Sequence, residues 1–377
     1  MKCCCTKNPA SFIIIVFSVT ITTNRTVPYT SNSALELNDM NAKYSMSMRP
    51  LVTVLMPVYN GENTIRDAIE SILRQTYREF EFLIIDDGST DNSVEIIRSY
   101  RDSRIRLVSS EQNSGIAATL NHGINLATGK YLARMDCDDL SLPERLNNQV
   151  EYMEQHPETG VLGTGVYTMK RKRPAKKRSW PESDPEIKIN LLFQNSFFHP
   201  SVMLRKSMLG NDPYPTELRY AQDYGLWISL ASRTQFANLA ESLVQYRSHP
   251  AQVTKTSGHE QASNARKVRQ HYLTTLFAST TAEEIELHHS IAERNRDTDL
   301  EKAGKWLENI IEANRSEQHF PDDLLCKVLA RKWWNCCKNS NRSGKDIWHI
   351  FNASYLSSIR TGQPRHTIKY ALKWVLK

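Results

Sequence analysis

The sequence predicts an α/β fold in which a mainly parallel sheet is flanked by helices and followed by a helical carboxyl-terminal region. Between residues 51 and 136, apolar runs typical of strands alternate with amphipathic stretches long enough for helices, and polar residues follow the strands. Strands separated by helices are joined by right-handed crossovers, which makes neighbouring strands parallel. After residue 255 the pattern becomes helical and polar.

The predicted elements follow one another in a regular order. Residues 51–60 form a β-rich apolar run that ends in Asn-Gly, which predicts a strand and a turn. Residues 64–75 have helical spacing, with an apolar face formed by Ile65, Ala68, Ile69, Ile72 and Leu73. The alternation continues with a strand and turn at 80–91, a helix at 91–101, a strand at 105–110, a helix at 115–127 and a strand at 129–136.

Composition sets limits without choosing a function. With 377 residues, 40% of them hydrophobic, the chain can bury one large core and a smaller appendage. A net charge of +7 is compatible with phosphate-bearing ligands, nucleic acid or an anionic membrane. The seven cysteines lack the spacing of a zinc site and do not form a disulfide framework, so we expect reduced thiols.

Carboxylates are concentrated where two strands are predicted to end. The second strand leads into Asp86 and Asp87, and the fourth leads into Asp136, Asp138 and Asp139. In open α/β sheets ligands bind beyond the carboxyl ends of the strands. A Mg²⁺ or Mn²⁺ ion with a phosphate-bearing ligand relieves the repulsion among crowded carboxylates, so these residues predict a cation site. The alternative is that Asp138 or Asp139 caps the following helix.

A phosphate loop of the dinucleotide-binding type is absent from the sequence, which has no Gly-x-Gly-x-x-Gly. Five stretches between Leu51 and His249 contain polar residues at the ends of predicted strands and helices. They are "VTVLMPVYNGENTIRDAIESILRQTY", "LIIDDGSTDNS", "NSGIAATLNHGI", "GKYLARMDCDDLSLPERLNNQV" and "AQDYGLWISLA". As a set they resemble the motifs of the family 2 glycosyltransferases. The resemblance implies a nucleotide-sugar-dependent inverting enzyme with the GT-A fold, which is Rossmann-like.

The resemblance also implies roles for individual residues. Asp87 matches the carboxylate that contacts the nucleotide base, and Tyr59 matches the position that lies against the base. A tight turn at Asp-Gly-Ser and an ordinary aromatic residue at a strand end are the alternatives. The implied nucleotide-sugar site consists of Pro57, Tyr59, Asp86, Asp87, Asp136 and Asp138. The implied metal ligands are Asp138, Asp139 and His249, and which of the three clustered aspartates binds the ion directly stays open.

Asp223 aligns with the catalytic base of the family. An ionised carboxylate can take the proton of the acceptor hydroxyl as the hydroxyl attacks the anomeric carbon, and one such displacement inverts the configuration. Gln222 departs from the family, which usually has Glu there. The alternative is that Asp223 is the N-cap of the helix that follows.

Other polar residues have weaker indications. His199 precedes a predicted strand that resembles the family's acceptor side, and Arg247 adds positive charge beside His249. Arg134 and Arg145 flank the acidic motif and are expected to balance its charge. The basic run at 170–178 is predicted to be a solvated loop, because no aromatic interleaving accompanies it.

We expect three regions. Residues 1–48 are a disordered leader or a mis-assigned start, because the apolar run at 12–19 is shorter than the roughly 20 residues of a membrane span. Residues 49–255 form the catalytic domain, and residues 256–377 form a helical region. The helix predicted near the carboxyl terminus, at 366–377, either docks on the protein or attaches it peripherally to an anionic membrane.

The expected function is transfer of a sugar from a UDP- or dTDP-linked donor to a hydroxyl of a glycan or a lipid-linked acceptor. Such donors are made in the cytosol, so we expect a cytoplasmic enzyme, and we expect no nucleic-acid partner. The alternatives are an inactive carbohydrate-binding or scaffold protein of the same fold and a sugar-nucleotide pyrophosphorylase. The pyrophosphorylase requires a Gly-rich activating loop, which "PVYNGEN" does not provide.

Overall fold

The computed structural model describes residues 50–170, 173–247 and 258–359, with backbone alone at 170 and 173–175. These residues belong to one compact unit, Pro50–Lys377. The predictions for the leader at 1–48, for His249 and for the helix at 366–377 lie outside the described residues. The domain boundary at residue 255 stays a prediction.

The predicted order of strands and helices is confirmed, with ends that differ by a few residues. The strands are β1 (Val52–Val58), β2 (Phe80–Asp86), β3 (Ile105–Ser109), β4 (Tyr131–Arg134), β5 (Leu140–Ser141), β6 (Thr159–Lys170), β7 (Arg173–Arg178), β8 (Met203–Arg205) and β9 (Gln235–Arg247). The helices up to the end of the sheet are α1 (Ile65–Leu73), α2 (Ser93–Arg98), α3 (Ile116–Leu126), α4 (Arg145–Gln155), α5 (Asp184–Leu191) and α6 (Gln222–Leu230). The later helices are α7 (Gly258–Leu276), α8 (Ala282–Ala292), α9 (Leu300–Glu317), α10 (Asp322–Asn339) and α11 (Gly344–Ala353).

The strands form one mixed sheet in the order β3-β2-β1-β4-β8-β6-β9-β5, with β7 paired to β6. The four strands β3, β2, β1 and β4 are parallel, as the strand–helix alternation predicts. The sheet as a whole is less parallel than expected, because β8 joins β4 in the antiparallel direction and β6 and β7 form an antiparallel hairpin. A short connection joins β6 to β7 in the hairpin, whereas β4 and β8 are separated in the chain by β5, α4, β6, β7 and α5, so no single crossover helix makes them parallel.

Helix α1 shows how the apolar pattern becomes packing. Ile65, Ala68, Ile69 and Ile72 are buried against the sheet, and Leu73 is partly buried at the edge of the same core. These are the five residues of the predicted face, since an apolar stripe at helical spacing lies on one side of the helix.

The basic run at 170–178 is not the loop that the charge pattern predicted. Its described residues form the end of β6 and the whole of β7, with Thr168 opposite Lys176 and Tyr167 opposite Lys177. Charge alone does not prevent a strand at a sheet edge, where lysine side chains can remain in water.

The carboxyl-terminal helices pack on the sheet domain, as expected. The buried imidazole of His288 in α8 has its Nε2 2.7 Å from the carbonyl oxygen of Leu192, and the indole of Trp306 in α9 donates to His288 Nδ1 at 3.2 Å. Because Nδ1 accepts, Nε2 carries the proton and donates to Leu192. Arg331 in α10 pairs with Glu186 in α5. Helices α7 to α10 therefore share the core beneath α5 and α6.

Two further findings concern the cysteines and the membrane. Cys137, Cys326, Cys336 and Cys337 are free thiols, in agreement with the prediction. Within the described residues, none of the helices combines the length and the apolar character that a membrane crossing requires.

Candidate active site

The carboxyl ends of β1, β2 and β4 meet at one edge of the sheet. The register pairs Val58 of β1 with Asp86 of β2, and Leu55 of β1 with Arg134 of β4. Pro57 is buried within β1, whereas Tyr59 just beyond it is 50% exposed. The predicted convergence of polar strand ends is therefore present in the structure.

Asp87 joins the end of β2 to the start of helix α3. Its carboxylate accepts hydrogen bonds from the backbone N–H of Ser114 at 2.9 Å, the hydroxyl of Ser114 at 2.8 Å and the backbone N–H of Gly115 at 3.0 Å. A carboxylate offers about four acceptor positions, so three donors leave room for about one more. Asp86 is buried beside it and accepts from the backbone N–H of Ser89 at 3.3 Å.

Gly88 allows the chain to turn directly after these two aspartates. Its φ of +74° is in the left-handed region, and a Cβ there would lie 2.8 Å from the carbonyl carbon of Gln112. Only glycine fits both constraints. The loop after β2 therefore packs against the segment that leads into α3.

The three aspartates after β4 form a compact cluster. One carboxylate oxygen from each of Asp136, Asp138 and Asp139 lies within 4.8 Å of the others, a spacing that a metal ion can bridge. Asp139 is fully buried; its Oδ1 accepts from the backbone N–H of Arg247 at 2.8 Å, and its Oδ2 has no hydrogen-bond partner among the described residues. A buried carboxylate oxygen without a donor is costly, and a bound cation satisfies it.

The electrostatics of the cluster are consistent with the missing hydrogen-bond partner of Asp139. Burial, together with the charges of Asp136 and Asp138, raises the pKa of Asp139 well above its usual range. Helix α4 begins at Arg145 after an N-cap at Glu144 and has no side-chain cap bond, so neither Asp138 nor Asp139 caps it. The cap alternative is wrong for these residues.

Arg134 supplies the positive charge within the cluster. Its buried guanidinium forms a two-point ion pair with Asp136, and Arg145 donates to the carbonyl oxygen of Arg134 at 2.7 Å. Burial raises the pKa of Asp136, and Arg134 partly opposes this shift. Burial and the neighbouring Arg134 lower the pKa of Arg145 to about 9. Arg134 therefore offsets the charge of Asp136 directly, whereas Arg145 holds the backbone of Arg134 through its hydrogen bond.

Asp223 lies in the first turn of α6. The N-cap of this helix is Ala221, with φ of 80° and no side-chain cap bond, so the alternative that Asp223 is the N-cap is wrong. The side-chain amide of Asn195 donates to Asp223 Oδ2 at 2.6 Å, and the backbone N–H of Tyr224 donates to Oδ1 at 2.8 Å. Burial raises the pKa of Asp223, while these two donors oppose the shift.

Asn195 is a site residue that the sequence reasoning missed. Its Oδ1 accepts from the backbone N–H of Phe197 at 3.0 Å, so its amide nitrogen must face Asp223. A polar residue inside the largely apolar stretch 191–198 was the available signal. It is 28 positions from Asp223, and no local pattern connects them.

His199 and Tyr214 form a second polar pair near Asp223. His199 Nε2 lies 2.8 Å from the Tyr214 hydroxyl, and burial lowers the pKa of His199 well below its usual value, so the imidazole is neutral. The backbone of Tyr214 is fixed by Asn121, whose amide accepts from the tyrosine N–H at 2.9 Å and donates to its carbonyl oxygen at 2.8 Å. Tyr214 also lines a polar groove of about 490 Å³ between α3 and residues 212–217.

The prediction that Arg247 adds charge beside His249 stays a prediction, because His249 lies outside the described residues. The guanidinium of Arg247 pairs with Asp67 of α1 at 2.6 Å, and its backbone N–H donates to Asp139 at 2.8 Å.

The charges of Arg134, Asp136 and Asp223 act on one another, which places Asp223 near the cluster after β4. Asp86 and Asp87 follow β2 at the same edge of the sheet.

These features define a class of enzyme, because an acidic cluster at the strand ends of a mixed α/β sheet, with a separate carboxylate on a later helix, is typical of GT-A transferases. Two solved structures of S. aureus TarS 1–349 have this architecture. The first superposes with a TM-score of 0.51 and 20% identity, covering 83% of this chain and 92% of that one. The complex of the same protein with UDP-GlcNAc superposes with a TM-score of 0.52 and 18% identity, covering 76% and 88%.

The sequence comparisons give the family. Residues 53–210 match the model of glycosyl transferase family 2. An uncharacterized glycosyltransferase of Methanocaldococcus jannaschii is 36% identical over 206 residues, covering 53% of this chain and 71% of the relative. The putative glycosyltransferase EpsE of Bacillus subtilis is 36% identical over 209 residues, with coverage of 54% and 74%. The amylovoran biosynthesis glycosyltransferase AmsE of Erwinia amylovora is 31% identical over 214 residues, with coverage of 55% and 80%. This chain belongs to the family 2 glycosyltransferases.

Proposed function

We propose that this glycosyltransferase moves a sugar from a UDP- or dTDP-type donor to a hydroxyl of a glycan or a lipid-linked acceptor, with inversion at the anomeric carbon. The observation that carries the proposal is the presence of two separate acidic centres, the cluster after β4 and the partly buried Asp223 on α6. The cluster is suited to bind a cation together with a diphosphate, and Asp223 is suited to accept a proton.

The proposed donor site consists of Pro57, Tyr59, Asp86, Asp87, Asp136 and Asp138. The acceptor position that remains on Asp87 supports a contact with the imide N–H of uracil or thymine. The half-exposed ring of Tyr59 supports stacking against the base. Uracil is also the base in the UDP-GlcNAc complex of TarS, a protein that shares the fold.

The cluster fits a divalent cation on the strength of the unpartnered Oδ2 of Asp139. We propose Asp138, Asp139 and His249 as its ligands, with Mg²⁺ or Mn²⁺ as the metal. The carboxylate oxygens are the hard ligands that suit these ions, and His249 is included on the family resemblance. A divalent ion held there neutralises the departing nucleoside diphosphate. The guanidinium of Arg134, which pairs with Asp136, offsets part of the negative charge of the cluster.

Asp223 is the proposed base. Ionised, it takes the proton of the acceptor hydroxyl as that oxygen attacks the sugar from the face opposite the nucleotide. Asn195 and the N–H of Tyr224 stabilise the ionised form and hold both oxygens in a fixed orientation. Because one displacement completes the transfer, no covalent enzyme intermediate is needed.

The biological setting is part of the proposal. EpsE and AmsE are named as glycosyltransferases, and AmsE is named for amylovoran biosynthesis, which supports a role in cell-surface polysaccharide synthesis. Nucleotide sugars are made in the cytosol, so we propose that the enzyme acts on the cytoplasmic side.

A donor screen tests the proposal. The full chain is incubated with a panel of nucleotide sugars and Mn²⁺ or Mg²⁺, and release of free nucleoside diphosphate is measured. We expect turnover with a UDP or dTDP sugar and a loss of about 10²- to 10⁴-fold in Asp223→Asn, with donor affinity retained. Glu283→Gln, on the distant surface of α8, is the matched control. Donor binding without turnover under every condition would support the inactive carbohydrate-binding protein instead.

A further inference from the structure

The β6–β7 hairpin concentrates the positive charge of the chain. The sequence has 48 basic and 41 acidic residues, an excess of seven, and residues 170–178 contain seven basic residues and no acidic one. The rest of the chain is therefore balanced in formal charge. Of the hairpin side chains that the structure describes, Lys176, Lys177 and Arg178 are exposed.

The sheet register locates this charge beside the candidate active site. Thr168 of β6 is opposite Lys176 of β7 on one side and Tyr246 of β9 on the other. The charges of Asp136, Asp138 and Asp139 all act on the hydroxyl of Tyr246, and the backbone of the next residue, Arg247, contacts Asp139. With strands about 4.8 Å apart, β7 is about 10 Å from β9 in the sheet.

We propose that the β6–β7 hairpin is a docking surface for an anionic lipid membrane, which holds the acidic rim of the enzyme next to the membrane surface. The headgroups of such a membrane carry the negative charge that complements the hairpin. Docking of this kind does not require the nucleotide-sugar donor. Its purpose, access to a lipid-linked acceptor, rests on the proposed function.

The arrangement of the charges favours a membrane over a single small ligand. Successive side chains of a strand point to opposite faces, so Lys177 projects from the face opposite to that of Lys176 and Arg178. A pocket for one phosphate gathers its cations on one side, whereas a hairpin that meets a flat anionic surface by its edge can bring side chains from both faces to the headgroups. Met169, 37% exposed at the end of β6, adds an apolar side chain that headgroups can accept.

Edge protection and nucleic-acid binding account for the hairpin less well. Lysine and proline on an edge strand prevent pairing with other chains, but one or two charges are enough for that purpose. Single-stranded nucleic acid requires several aromatic side chains on which successive bases stack, and β6 and β7 contain one, Tyr167, which is partly buried.

The test is binding of the full chain to vesicles. Co-sedimentation is measured with phosphatidylcholine alone and with phosphatidylcholine mixed with phosphatidylglycerol. We expect binding to the anionic vesicles alone, and weaker binding as salt is raised, because mobile ions screen exposed charges. The variant K176E/K177E/R178E should bind about tenfold less or weaker still. The control K305E/K327E/K345E changes the net charge equally at exposed positions on α9, α10 and α11 and should bind like the wild type.

Several outcomes would overturn the proposal. These are equal binding to neutral vesicles, equal loss in the control, retained binding in the hairpin variant, or tighter binding to single-stranded RNA than to anionic vesicles. If the hairpin variant loses its cooperative thermal transition, K176Q/K177Q/R178Q replaces it with a smaller change of charge. Release of nucleoside diphosphate from a water-soluble donor is measured in parallel, so failure of the docking surface is distinguished from failure of the catalytic proposal.

Discussion

At the scale of single residues, the site contains groups whose cost to the fold has a functional reason. Asp139 is fully buried with one oxygen that has no partner among the described residues, and Asp223 is a partly buried carboxylate that accepts hydrogen bonds from two donors. Neither arrangement stabilises the folded chain by itself, because desolvation opposes the charged form of both. Their value lies in what they bind.

Asp139→Asn tests this cost directly. The amide can still accept from the backbone of Arg247 through Oδ1, but it carries no buried charge. We expect the variant without metal to be more stable than the wild type, because no buried charge remains at this position. We also expect Mn²⁺ to raise the melting temperature of the wild type but not of the variant. Thermal unfolding with and without chelator measures both effects, and equal metal stabilisation of the two proteins would contradict the assignment of Asp139.

Asn195→Ala tests the positioning of the proposed base. The amide of Asn195 stabilises the ionised form of Asp223, so its loss raises the pKa of Asp223 further. Since the base acts when ionised, the acid limb of kcat/KM should move to higher pH. Arg134, Asp136 and Tyr214 are the other charged or titratable groups that act on Asp223.

The pH–rate profile of Asn195→Ala is compared with that of Asn341→Ala, which removes an amide bonded to Asp297 on the distant surface. A uniform loss of activity at every pH, with the acid limb unmoved, would show that Asn195 acts on the fold alone.

At the scale of the elements, contacts between segments that are distant in the chain determine the geometry of the site. Helix α6 carries Asp223, while the segment after α5 carries Asn195, and the carboxyl-terminal helices hold that segment through His288 and Leu192. Burial and nearby cations lower the pKa of His288 to about 3, so the imidazole is neutral in the fold. An interaction far from the active site thus bears on the orientation of the base.

The protonation of His288 gives a stability prediction with a definite sign. Its pKa is depressed in the folded state, so the unfolded chain binds the proton more tightly. The contribution of His288 is therefore complete above its unfolded pKa of about 6.5 and is lost as pH falls from there towards 3. Urea unfolding between pH 7 and about 4.5 measures it.

His288→Gln is the comparison, because glutamine can donate to Leu192 but does not titrate. The fall in unfolding free energy on acidification should be smaller in this variant than in the wild type. Parallel pH curves for the two proteins would contradict the role of His288.

At the scale of the whole molecule, the sheet and the carboxyl-terminal helices depend on one apolar core. Leu191, Leu192 and Phe193 are fully buried, and Trp306 and Trp333 of the later helices belong to the same apolar cluster. Removal of α7 to α11 would expose this surface to water. The region after residue 255 is therefore part of the structure that supports catalysis.

A fragment of residues 50–255 tests this dependence. We expect it to be insoluble or to unfold without a cooperative transition, because the burial of several large side chains, about 1.5 to 3 kcal/mol each, is lost. Soluble expression and near-ultraviolet circular dichroism measure the outcome. A fragment with a native-like spectrum and a sharp melting transition would show that the first domain folds alone.

The sequence by itself determined the succession of strands and helices up to β4, the buried face of α1 and the convergence of Asp86, Asp87 and the aspartates after β4. These depend on periodicity and on the parallel register of neighbouring strands, which are short-range rules.

The tertiary structure alone decided the mixed sheet, the hairpin at 170–178, the bond between Asn195 and Asp223 and the bonds of His288. The hairpin joins neighbouring segments, but its basic residues do not show the apolar alternation of a strand. The other features depend on segments that are distant in the chain, and their contact follows from how the whole core packs.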